Sequence, residues 1–225
     1  MASKKNNNGQ IRLSPSALSL FKECSRCFWL HYKEGIKRPS GAFPSITGGM
    51  DSVIKDYFDL HRGTLPPELE GKIKGNLIPD IELLNKWRHW KSGLEYIDDS
   101  IGAKIYGALD DCLVDDGIYI PLDYKTRGSA PKDGDSEKYY QTQLDTYALV
   151  LRTNGYPVKD MAYLIYYFPE KAENHGVVKF NIQPVELKAS PDNARVLFEE
   201  AVSILKADIP EVNKSCDFCR WRNGH

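Results

Sequence analysis

Long apolar runs are missing from this chain of 225 residues: none approaches the roughly 20 residues that cross a bilayer, and the start, MASKKNNNGQ, lacks the apolar core of a secretory leader. No membrane span is expected, and the cytoplasm is the expected compartment. Net charge is missing too, with 30 Lys and Arg against 31 Asp and Glu. No global basic field announces a polyanion, so such a partner must be gripped by local patches. Histidine is sparse, and His31, His61, His89 and His175 read as ordinary surface or core residues. Only five cysteines are present, and in a reducing compartment they are not expected to form disulfides. Four of them nevertheless fall as two close pairs, a metal-site signal, while Cys112 reads as a small buried apolar residue. The length suits one domain over residues 11–225 behind a loose polar tail at 1–10, and no internal repeat is visible.

The stretch YGALDDCLVDDGIYIPLDYKTRG, residues 106–128, has two strand-like runs around Asp-Asp-Gly. It predicts a β-hairpin with Asp116-Gly117 as a two-residue type I′ turn. Val114 then faces Tyr119, and counting outward sets Asp110 opposite Asp123. Directly opposed side chains have Cβ atoms roughly 4.5–5.5 Å apart, where like charges destabilise a sheet. Strand alternation puts Asp123 and Lys125 on one face with Asp110 and Cys112, and gives the other face, with Leu113, Ile120, Leu122 and Tyr124, to the core. Asp111 is the one misfit on that core face. A divalent cation such as Mg²⁺ or Mn²⁺ turns the opposed carboxylates into ligands. The plainer alternative is a solvated edge hairpin on which Lys125 damps the repulsion.

Ahead of the hairpin, LSPSALSLFKECSRCFWLHY predicts one helix with Ser14 as N-cap and Pro15 at its first position, carrying Cys24 and Cys27 on one side. A helix over MDSVIKDYFDLH, a loop over 63–79, a helix over DIELLNKWRHWK and a strand over LEYIDD follow. Beyond the hairpin come a helix over YYQTQLDTYALVLRTNGYP, two strands, a helix from residue 193, and the tail PEVNKSCDFCRWRNGH. Gln143 and Tyr147 lie four apart and are neighbours on the helix surface. The fold class expected from this order is α/β, a mixed central sheet flanked by helices.

Gly107-x-x-Asp110, then Asp123-x-Lys125, then Gln143-x-x-x-Tyr147 on the next helix resembles the PD-(D/E)xK nuclease superfamily, whose core is that of the restriction endonucleases. Within it the chain is similar to the RecB-like nucleases, whose opening helix LSPSALSLFKECSRCFWLHY also resembles. The resemblance implies Asp110 and Asp123 as metal ligands, the Tyr124 backbone carbonyl as a third oxygen, and Lys125 as the catalytic lysine. Gln143 and Tyr147 are implied to line the site. The family's usual histidine ligand, at Gly-x-x-x-His, is absent from GGMDSV, and Asp51 is the nearest replacement, though an acid in a first helical turn also simply suits the helix dipole. The implied activity is metal-dependent DNA cleavage, exonuclease-like on single strands or ends. Other DNA-processing proteins are implied as partners. The rival is a nuclease-derived module that binds nucleic acid or protein without cutting.

Cys24-x2-Cys27 and Cys216-x2-Cys219 supply enough thiolates for one four-sulfur site that staples the two ends of the chain together. Spacing by itself favours tetrahedral Zn²⁺. The resemblance points instead to a [4Fe-4S] cluster, as in AddB-type and CRISPR-associated RecB-like exonucleases, although those place one cysteine upstream and three downstream. For substrate, KWRHWK at 86–91 interleaves cations with tryptophans, and IKRPSG, Arg127 and Lys138 are further candidate phosphate contacts.

Overall fold

The computed structural model describes residues 10–223 except 40, 42–44, 90 and 92, so nearly all of the expected polar tail, Ser40 and Trp90 lie outside the described residues. Strand β1 (Ile11–Leu13) leads into α1 (Pro15–Glu23), whose N-cap Ser14 accepts from the Ala17 N–H at 3.3 Å. The predicted single helix is two. Cys24 is extended, with φ −163° and ψ 105°, and it ends α1 and caps α2 (Ser25–Lys33). The helical periodicity carried through this corner because the hydrophobic spacing on either side happens to stay in phase.

Helix α3 (Ser45–Asp59), the short β2 (Asn76–Leu77) and α4 (Ile81–Arg88) precede β3 (Leu94–Asp98) and β4 (Ala103–Gly107). The hairpin follows as β5 (Asp111–Asp115) and β6 (Ile118–Thr126), paired Val114 to Tyr119 as expected. Its turn residues Asp116 and Gly117 have φ of 50° and 79°, the left-handed pair a type I′ turn requires. After it come α5 (Asp135–Thr153), β7 (Ala162–Ala172), β8 (Val178–Leu187), α6 (Pro191–Lys206) and α7 (Asp217–Asn223). The C-terminal tail thus contains a helix where the sequence reads as irregular.

The strands form two sheets rather than one. A three-stranded sheet runs β1-β4-β3 and a five-stranded sheet runs β2-β5-β6-β7-β8, and each mixes parallel and antiparallel pairs. The strand read through residues 106–115 therefore breaks at 108–110, where the chain leaves one sheet for the other. Gly107 sits at that exit with an ordinary φ, and its reason is space. A Cβ there would lie 3.1 Å from Val150 Cγ2 and 3.2 Å from Tyr147 Cδ1.

Strand β6 pairs parallel with β7, and a parallel pair needs a crossover connection. That connection is α5, which lies across the sheet face carrying Cys112, Asp123 and Leu164 and is buried along Leu144–Leu151. The opposite face, with Leu113, Ile120, Leu122 and Tyr124, packs against Ile54 and Phe58 of α3. Both faces of the hairpin are core, and the acidic face is not the solvated one that a free-standing hairpin would have.

Candidate active site

Extending the hairpin register by one pair brings Asp110 opposite Asp123, just beyond the last ladder pair Asp111–Leu122. Asp123 is fully buried, because α5 roofs it. Lys125, on the same face, ion-pairs with Asp123, and its ammonium stands 4.7 Å over the Tyr140 ring. On α5, the Gln143 amide donates to Asp123 Oδ1 at 3.0 Å and to the Tyr147 hydroxyl at 2.6 Å. From the other side α3 delivers Lys55, whose ammonium lies 2.8 Å from Asp110 Oδ1 and 2.8 Å from Asp51 Oδ2. Asp110, Asp123, Lys125, Gln143 and Tyr147 thus lie together. Asp51 joins them through Lys55, a residue that sequence reasoning passed over and that its i, i+4 spacing from Asp51 marks.

Burial pushes the Asp123 carboxyl up, and the Asp110 carboxylate pushes it further, against the pull of Lys125. Burial alone would lower the Lys125 ammonium, but Asp123 and Asp110 outweigh it and hold it above its ordinary value. Lys125 therefore stands as an ammonium beside the two acids. Tyr147 is pushed well up by burial and by the two acids, so it remains a neutral phenol.

The misfit Asp111 has its explanation behind the hairpin. It is fully buried on the α3 side, and Arg62 grips it with two hydrogen bonds of 2.7 and 2.6 Å. The Tyr124 hydroxyl donates to it as well, and Arg88 stands 3.5 Å away. Arg88 also binds Asp59 through both terminal nitrogens, and its Nε donates to the Asp110 backbone carbonyl at 2.8 Å. The network fixes the chain at Asp110 from below. This is the place of KWRHWK: Trp87 is buried in the core and Arg88 is committed to Asp59 and the hairpin, which leaves neither for nucleic acid. Arg127 is likewise paired, with Asp135.

The donors around Asp110 and Asp123 are hard oxygens, the set that Mg²⁺ or Mn²⁺ prefers. A separate centre is built by Cys24, Cys27, Cys216 and Cys219, whose sulfurs all lie within 4.8 Å of one another. Individual separations are 3.6 Å for Cys24–Cys219, 3.7 Å for Cys27–Cys216 and 3.8 Å for Cys27–Cys219. Burial raises the Cys27 and Cys219 thiols, while at Cys216 the Cys219 N–H and the neighbouring sulfurs outweigh burial and lower it. The four residues fit a bound metal centre.

A family model described as the PD-(D/E)XK nuclease superfamily matches residues 53–223. No curated protein matches the chain.

Proposed function

We propose that this chain, which belongs to the PD-(D/E)XK nuclease superfamily, is a metal-dependent deoxyribonuclease acting exonuclease-like on single strands or ends. The observation that carries the reading is the convergence of Asp110, Asp123 and Lys125 where the hairpin leaves the sheet, beneath Gln143 of α5. Asp110 and Asp123, with the Tyr124 carbonyl and Asp51, would hold Mg²⁺ or Mn²⁺. Such an ion, when bound, polarises a phosphoryl oxygen and stabilises the leaving oxygen. Lys125, kept charged by the acids, orients the attacking water and offsets negative charge that builds on the phosphate. Gln143 holds Asp123 in place through Oδ1, and α5 covers Asp123.

For the cysteine centre the sulfur spacing supports a single tetrahedral ion, and zinc is the reading we adopt over the iron–sulfur cluster. Metal–sulfur bonds of about 2.3 Å give tetrahedral edges of about 3.8 Å, the separations found between Cys27 and its two C-terminal partners. A four-iron cluster, with each thiolate on a different iron, holds its sulfurs further apart.

One observation favours a second reading, a binding module that does not cut. Lys55 bridges Asp51 and Asp110 and so offsets charge in the acid cluster without a metal ion. A cleavage assay on single-stranded and duplex DNA with Mg²⁺ or Mn²⁺ separates the two. Cutting that EDTA and Asp123→Ala both abolish establishes the nuclease. Binding without cutting under either ion establishes the module.

A further inference from the structure

A cleft of about 590 Å³ lies beside the acid cluster. Gln143 and Tyr147 line it, and the same Gln143 amide reaches Asp123. Tyr106, Tyr139 and Tyr140 form its aromatic walls, with Tyr139 half exposed. Glu23 and Arg38 line it too. Arg38 is the residue that joins the cleft to the cysteine centre. One terminal nitrogen binds Glu23, the other lies 3.6 Å from Cys216 Sγ, and the guanidinium stands 4.6 Å over the Phe218 ring. The segment around it, residues 35–39, is irregular. What holds Arg38 against the cleft is therefore contact with Glu23 of α1, with the Cys27 thiol of α2 and, twice over, with the C-terminal segment.

We infer that this cleft takes an unstacked single strand, that Arg38 binds one of its backbone phosphates, and that the metal-loaded cysteine centre holds Arg38 there. The inference rests on the nuclease reading for the strand's other end. Aromatic faces stack bases without regard to sequence, and a guanidinium offers a planar fork that matches phosphate geometry. An incoming phosphate replaces Glu23, which is mostly exposed and gives up its place readily, while Cys216 and Phe218 keep their hold on the guanidinium. Loss of metal undocks Cys216 and Phe218 together, so Arg38 keeps only Glu23 of α1 and Cys27 of α2.

The test measures binding of a fluorescein-labelled oligothymidylate by polarisation at several salt concentrations, with Ca²⁺ in place of Mg²⁺. Arg38→Gln is expected to weaken binding about tenfold, the equivalent of one charge-assisted contact, and to reduce the salt slope by about 0.7, one phosphate on a single strand. Its bound metal, measured by elemental analysis, stays at the wild-type level. Arg38→Lys recovers the slope. Chelator-stripped wild type and Cys216→Ser show the same loss, and adding Arg38→Gln to either causes no further loss. Returning zinc to the stripped protein restores binding, which separates an undocked Arg38 from a misfolded chain. Wild-type slope and affinity in Arg38→Gln would overturn the inference, as would losses that add. A protein that cuts DNA yet ignores Arg38→Gln refutes only the cleft. One that binds through Arg38 yet never cuts refutes only the nuclease.

Discussion

Asp123 is a carboxylate with no surface exposure, and its environment sets how the protein responds to pH. Burial and Asp110 raise its pKa from 3.8 to about 7 against the pull of Lys125. A carboxyl whose folded pKa is raised contributes stability below its unfolded pKa, and that contribution is lost as pH rises through the folded value. Metal-free wild type should therefore lose stability relative to Asp123→Asn between about pH 4 and pH 7. The variant is expected to end more stable at neutral pH by about 1 kcal/mol, the scale of relieved like-charge opposition. Thermal melts across that range check it. Adding Mg²⁺ should raise the wild-type midpoint more than the variant's. Arg62 presents the opposite case. Arg62→Ala leaves Asp111 buried with one fewer strong partner, and removing one member of a buried pair costs about 3–5 kcal/mol. Urea unfolding should show that loss, and weaker Mn²⁺ binding should accompany it, because the same network holds the Asp110 carbonyl through Arg88.

The crossover β6-α5-β7 is the element that turns a charged hairpin into a site. Its parallel pairing sends α5 over the Asp123 face, and Gly107 lets β4 approach that helix closely enough for Tyr147 and Val150 to pack on it. Gly107→Ala asks those side chains to give by a few tenths of an ångström. Gly107→Val overfills the contact, and overpacking costs about 1–3 kcal/mol. The valine variant should also displace Tyr147 and Gln143, so that cleavage falls further than stability accounts for. Comparing turnover with urea midpoints for the two variants tests this. Equal turnover in both would show that α5 tolerates the shift.

Across the whole molecule the four-cysteine group joins the α1–α2 corner to the C-terminal segment. The C-terminal segment has other ties to α2: the Trp29 indole donates to the Ala207 carbonyl at 3.0 Å, and Arg26 donates to the Pro210 carbonyl at 2.6 Å. Metal removal should therefore release the chain beyond Pro210 and leave residues 207–210 docked. Coordination free energy is folding free energy for such a segment. Limited proteolysis of Cys216→Ser, or of chelated wild type, should cut within residues 211–215, where the backbone is irregular, while the hairpin keeps its amide-exchange protection. Anaerobic protein should be colourless with one zinc per chain. Brown protein containing iron and sulfide would replace the single ion with a cluster.

Local chemistry determined much of this protein by itself. The Asp116-Gly117 turn fixed the hairpin register through a backbone that must be left-handed twice, and period-2 alternation then placed Asp110, Asp123 and Lys125 on one face. The helix capped at Ser14, the Gln143–Tyr147 adjacency and the paired cysteines were legible for the same reason, because each depends on neighbours a few residues apart. Only the tertiary structure decided the rest. The break at 108–110 depends on two sheets competing for one chain, and the burial of the acidic face depends on where a crossover helix lands. The meaning of Asp111 required Arg62, 49 residues away, and Arg88 from α4. Arg38 gains a role only because Cys216, 178 residues on, folds back beside it. Such partners are set by packing across the molecule, and no local period records them.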